Sequence, residues 1–230
     1  MSILALSTST PRASVALLDG DHLLATTSHD DPRGHAEHLF TLIDRTLSSA
    51  GRDRADVHLV ACDVGPGSFT GTRIAVSSAK GISLALGVPV VGVVSLEALA
   101  AHATSTSPPG ALVVAAIDAR KDELYLAVYD AGAPLLAPSH VPASDVAARV
   151  AAIVRDRPFV TIVDAPSFAA FAPGAQQALV AFPEAAWIAR LAAARPPIDP
   201  ADLAPLYVRA PDAVPTFSGP AGPLAMLPPR

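Results

Sequence analysis

The residues of this 230-residue chain that most suggest chemistry are Gly65, Gly67 and Ser68, in a loop between an apolar run, 57 to 64, and a segment of helical period. Free amides at a helix start, backed by the helix dipole, favour an anion there. The glycines let the backbone turn sharply, and Ser68 or Thr70 can cap the first helical amides. Thr8 and Ser9 lie in the hydroxyl run that ends the first apolar segment, and they complete the candidate phosphate site. The loop fits neither GxxxxGK[ST] nor GxGxxG. A strand-to-helix turn with no ligand is therefore the favoured reading of the glycines, and satisfied turn amides that of the hydroxyls.

Other chemistry-bearing residues are less organised. His35, Glu37 and His38 form HxEH, which is neither HExxH nor HxxxH and lacks further ligands, so no metal site is read from it. Arg33, His35 and Glu37 are read as fixing the entry to a helix. Asp118, Arg120, Lys121, Asp122 and Glu123 crowd one hairpin, for which a solvated turn is the simpler account. Cys62 stands alone in an apolar strand and reads as a buried, inert thiol. Neither Ser68 nor Ser95 has the GxSxG surroundings of a hydrolase nucleophile. No catalytic residue and no cofactor is assigned.

The elements that must position these residues follow from periodicity. Residues 2–7, 13–19 and 22–28 alternate as three short strands joined by hairpin-sized turns. Leu39, Leu42 or Ile43, Leu47 and Ala50 then fall at helical spacing up to Gly51. A strand over 57–64, a helix closed by Gly87, a strand over 89–94 and a helix from Ser95, its expected cap, to about 103 complete the series. This βββαβαβα order predicts an α/β fold of the actin-like, ribonuclease-H-like type, with two half-domains and mixed sheets. Nucleotide-hydrolysing members of that fold carry an aspartate where this chain has Ser7, and a hydroxyl cannot supply the anionic oxygen that Mg²⁺ prefers.

The helix over 71–86 places the small residues Gly71, Ala75, Ser78, Ala79 and Ala85 along its length, with Ile74, Ile82 and Leu86 as bulk. Small side chains let another backbone approach closely. The helix is therefore either packed tightly in its own domain or one half of a subunit contact.

The expected organisation is an N-terminal domain over 1–103, a linker over 104–110, a smaller degenerate α/β domain over 111–210 and a Pro-rich tail over 211–230. The second domain is legible as a hairpin over 112–118 and 124–129, a strand over 159–163 and a helix over 185–194. Apolar residues make up 51% of the chain, but no apolar run reaches the ~18 residues of a membrane span. A net charge of -5 argues against an independent grip on nucleic acid. No basic, cleavable leader is seen, which points to a cytoplasmic protein.

The stretch GPGSFTGTRIAVSSAKGISLALGVPVVGVVSLEALA, from Gly65, resembles the TsaB family, also called YeaZ. ILALSTSTPRASVAL from Ile3, RGHAEHL from Arg33, AIDARKDELYLAVY from Ala116 and PLYVRAPDA from Pro205 are similar to further segments of that family, in the same order. Only about 140 to 205 has no clear counterpart. Ser7 replaces the usual aspartate, Thr72 a common leucine and Ala36 a serine.

The resemblance implies a non-catalytic, actin-like subunit that pairs with a catalytic TsaD-type protein. With a TsaE-type ATPase it would help to place a threonylcarbamoyl group on N6 of a tRNA adenosine, touching tRNA only indirectly. It also implies that the helices over 34–50 and 71–86 build the contact with TsaD, and that of a homodimer. His35, Leu39, Leu42, Gly71, Ala75, Ser78, Ala79 and Ile82 are then the expected contact residues. The alternative is an independent ATPase or kinase of the same fold, suggested by the glycine loop. A peptidase is a weaker third reading.

Overall fold

A computed structural model describes residues 1–31, 34–166 and 171–209. Strands β1 (Ser2–Ser7), β2 (Ala13–Asp19), β3 (His22–His29), β4 (Leu59–Asp63) and β5 (Val90–Val93) form one sheet in the order β3-β2-β1-β4-β5. β1 pairs antiparallel with β2 and parallel with β4. It is covered on both faces, which is why SILALS reads as a nearly continuous apolar run. Helices α1 (His35–Ser49) and α2 (Phe69–Leu86) lie between β3 and β4 and between β4 and β5.

The second half repeats this arrangement. Strands β6 (Leu112–Arg120), β7 (Glu123–Asp130), β8 (Ala133–Pro142), β9 (Phe159–Val163) and β10 (Gln177–Val180) form a sheet in the order β8-β7-β6-β9-β10. Its parallel and antiparallel pairings match those of the first sheet strand for strand. Helix α4 (Ala143–Val154) occupies the place of α1, while helices α3 (Ser95–Thr106) and α5 (Ala185–Ala193) follow β5 and β10. The predicted α/β fold with two mixed-sheet halves is the one observed. β8, α4 and β10 were not legible in the sequence, because Ala and Pro blur the period there.

The two halves exchange helices. Ala185, Ile188, Ala189 and Ala192 of α5 pack on Ile3, Ala5, Leu59 and Val91 of the first sheet. Leu96, Leu99 and Ala103 of α3 pack on Val113, Ala115 and Ile162 of the second. Boundaries drawn at 103 and 111 therefore cut across the packing, since a helix from each side completes the core of the other. The expected linker also starts too early, because α3 runs on through Thr106. Ser95 is not the cap of α3 but its first helical residue. The Val94 amide is instead met by the Glu97 carboxylate at 3.3 Å, and Ser95 is buried with its hydroxyl 3.0 Å from that of Ser9. The Pro-rich tail and Arg33 lie outside the described residues.

Ile188 tests this exchange, because it is fully buried between α5 and the first sheet. Ile188→Ala should lower the free energy of urea unfolding by about 2–5 kcal/mol. A loss below ~1 kcal/mol would show that α5 is not part of the first core.

Candidate functional site

The Gly65–Ser68 loop is built around a carboxylate. Asp63 ends β4 with no exposed surface, and it accepts from the Ser7 hydroxyl at 3.0 Å, the Thr8 amide at 3.2 Å and the Ser9 amide at 3.1 Å. Burial pushes its carboxyl up, and the Ser9, Ser7 and Thr8 donors pull it back down. Asp63 thereby holds the end of β1 under the start of α2. The Thr8 hydroxyl donates to the Gly71 carbonyl at 2.7 Å, and the Ser68 amide donates to the Ser9 carbonyl at 2.6 Å.

This closeness explains two glycines. A Cβ on Gly67 would stand 2.3 Å from the Ser9 carbonyl oxygen, and one on Gly71 would stand 2.0 Å from that of Thr8. Of the candidate anion residues, Thr8, Ser9, Gly67 and Ser68 are thus brought together around each other, whereas Gly65 faces Thr72 and the Leu206 carbonyl. The Thr8 and Ser9 amides point into Asp63, and the Ser68 hydroxyl caps α2 by accepting from the Gly71 amide at 3.3 Å. These donors are already satisfied within the chain.

The expected contact residues divide differently from the sequence reading. Gly71, Ala75 and Ala79 point inward; Ala75 and Ala79 join Leu4, Leu6, Val60 and Cys62 in the first core. Leu39 and Leu42 are buried in the same core. His35 is buried at the start of α1, where its Nε2–H donates to the Thr10 carbonyl at 2.9 Å. The small face of α2 is therefore used inside the domain, where the backbone of β1 and its following loop lies against it. Of the eight expected residues, Ser78 and Ile82 line open surface.

That surface is a groove of about 500 Å³ between α1 and α2. Phe40, Ile43 and Leu47 form one wall, Ser77, Ser78, Gly81, Ile82, Ala85 and Leu86 the other, and Leu4 and Val57 the floor. Phe40 is 55% exposed. It falls one position outside the buried stripe of α1, so core periodicity passes over it. An Asp44–Arg54 ion pair of 2.8 Å stands at the edge, with both partners largely exposed. Cys62 is fully buried, and burial pushes its thiol up, as expected of an inert one. Among the described residues no group of three His, Cys, Asp or Glu could hold a metal, and no helix is long and apolar enough to cross a membrane.

The second half carries a counterpart of Asp63. Asp164 follows β9 and accepts from the Asp118 amide of β6 at 2.9 Å. The turn of the hairpin beyond it, Arg120 to Asp122, is exposed, as a solvated turn predicts, while Glu123 is half-buried. Glu123 faces Arg209 at 3.1 Å and His140 at 2.9 Å, and Arg209 also donates to the Ala119 carbonyl at 3.2 Å. Asp164 and Arg209 were invisible as partners because they lie 46 and 90 residues from the backbone groups they bind.

Burial pushes the Asp164 carboxyl up to about 6. Folded Asp164 thus holds its proton to higher pH than the unfolded chain does, and its stabilising contribution is complete below about 4 and lost as pH rises through 6. Unfolding free energy should fall by as much as ~3 kcal/mol from this group between pH 4 and 7. Asp164→Asn should remove that component of the fall; identical pH profiles for the two proteins would contradict it.

Comparison with known proteins gives the same picture along most of the chain. A family model described as TsaD: tRNA N6-adenosine threonylcarbamoyltransferase matches residues 25–165. An uncharacterized protein of Mycobacterium tuberculosis is 35% identical over 218 residues, covering 93% of this chain and 94% of that protein. The tRNA threonylcarbamoyladenosine biosynthesis protein TsaB of Escherichia coli is 37% identical over 132 residues, 56% of this chain and 55% of that protein. The solved structure of YeaZ from Pseudomonas aeruginosa superposes with a TM-score of 0.74 at 31% identity, covering 90% of this chain and 99% of that one. Agreement over both repeated halves, rather than over the glycine loop alone, places the chain in the TsaB (YeaZ) family.

Proposed function

We propose that this protein is the non-catalytic partner subunit of a tRNA N6-threonylcarbamoyladenosine transferase, docking on the catalytic TsaD-type subunit through the α1–α2 groove. The observation that carries the reading is the groove itself. It is apolar, open to solvent and flanked by an exposed Phe40 on a face the fold leaves uncovered. Exposed apolar surface of this kind marks interaction sites more often than chance. The TsaE-type ATPase and tRNA would then meet this chain through that complex.

The alternative, an independent ATPase or kinase, has the loop geometry against it. A phosphate held there would have to displace the Thr8 and Ser9 backbone from Gly67 and Gly71, and Ser7 offers no anionic oxygen to a metal. The scaffold reading needs neither group.

Ala75 cannot test the contact, since a charge there would disrupt the domain's own core. Gly81 can. It lines the groove, is exposed, and a Cβ built on it meets nothing within 4 Å. Gly81→Arg should leave the monomer as stable as before or more so by up to ~1 kcal/mol, because glycine is a poor helix former. It should abolish co-elution with the TsaD-type subunit and restoration of tRNA modification in an extract lacking the chain. Full pairing by a folded Gly81→Arg protein would show that the groove is not the contact. Loss only of a self-association seen by light scattering, with TsaD-type pairing intact, would assign the groove to a homodimer.

A further inference from the structure

Beyond the groove, the first turn of α2 carries a second exposed feature. Phe69 and Tyr207 are 52% and 48% exposed, and their rings lie 5.4 Å apart. Arg73, four residues after Phe69, lays its guanidinium 3.9 Å from the centre of the Phe69 ring. It also donates from Nε to the Tyr207 hydroxyl at 2.9 Å. The segment holding Tyr207 is fixed in turn, because the Leu206 amide donates to the Val64 carbonyl at 2.7 Å and Leu203 is buried in the first core.

Arg73 is thus immobilised, and no carboxylate among the described residues is paired with it. Among the described residues Arg12, Arg52, Arg54, Arg120, Arg157, Arg195 and Arg209 each face a carboxylate, whereas Arg73 is held in place by the Phe69 and Tyr207 rings and the Tyr207 hydroxyl. Its Nε is engaged, which leaves the two Nη groups to form a bidentate fork. A guanidinium already fixed in one rotamer loses little entropy on gaining such a partner. α2 contains Arg73 and Lys80 and no acidic residue, so its charge is positive on a chain of net charge -5.

We propose that Arg73, clamped between Phe69 and Tyr207, anchors a carboxylate on the TsaD-type subunit, so that the contact runs from the groove to the first turn of α2. This rests on the partner reading above. Arginine and tyrosine are among the residues that dominate protein interfaces. An RNA phosphate fits less well. One guanidinium beside an apolar groove is not the basic face that nucleic-acid binding draws on.

Titration calorimetry of the full chain into its TsaD-type subunit, at two salt concentrations, tests the anchor. Arg73→Ala should weaken binding by about 30-fold with an unchanged melting temperature, and binding should lose part of its salt dependence. Arg73→Lys should recover only a small part of that loss, because an ammonium lacks the planar fork. Tyr207→Phe, which keeps the ring and frees Nε, should fall between Arg73→Ala and the unmodified protein. Unchanged affinity of Arg73→Ala, with Gly81→Arg still unable to bind, would overturn the anchor and leave the partner reading standing. Absence of binding by the unmodified chain would overturn both. Reduced tRNA retention by the complex at unchanged subunit affinity would identify a phosphate as the anchored group and overturn the carboxylate.

Discussion

A single buried carboxylate shapes the first half of the molecule. Asp63 sits at the end of β4, in a strand otherwise made of Leu, Val, Ala and Cys, and has three donors from residues 7–9 around it. A carboxylate without partners in such a place would be very costly, so the loop after β1 must close over it. Once it has closed, the Ser9 carbonyl lies against the loop at Gly67 and the Thr8 carbonyl against α2 at Gly71, two places where only glycine fits. Ser7 belongs to this arrangement. An aspartate there would set a second carboxylate against Asp63 with no exposed surface, whereas serine supplies a donor.

The loop that looks most like a ligand site is packed against its own chain, and the open apolar surface of α2 lies elsewhere on the same helix. One face of α2 carries Gly71, Ala75 and Ala79 and is used against β1 and β4. The adjoining face carries Ser77, Ser78, Gly81 and Ala85, which leave a groove against α1. Small residues line both faces, for different reasons: inside they admit a backbone, and outside they leave a hollow.

Much of the fold was legible because its elements have clear periods. β1, β2, α1, α2 and α3 begin within a residue or two of where alternation and helical spacing put them. The second half was harder, because Pro134, Pro138 and Pro142 interrupt β8 and the alanines of α4 carry little periodic contrast. The exchange of α3 and α5 could not be read at all, since an amphipathic helix declares that one face is buried but not against what. The same limit governed the site. Small side chains at Gly71, Ala75 and Ala79 announced close packing, yet could not say whether the close neighbour was β1 or another subunit. Phe40, Arg73 and Tyr207 were passed over because exposed residues leave no periodic trace.

Hydrogen exchange across the whole chain tests most directly whether the helical face or the glycine loop does the work. Adding the TsaD-type subunit should slow exchange in Phe40–Leu47 and Ser77–Leu86, while Mg-ATP alone should leave 63–72 unchanged. Protection of 63–72 by Mg-ATP, with no protection of the two helices by the subunit, would contradict the scaffold role and return the loop to the centre of the protein's function.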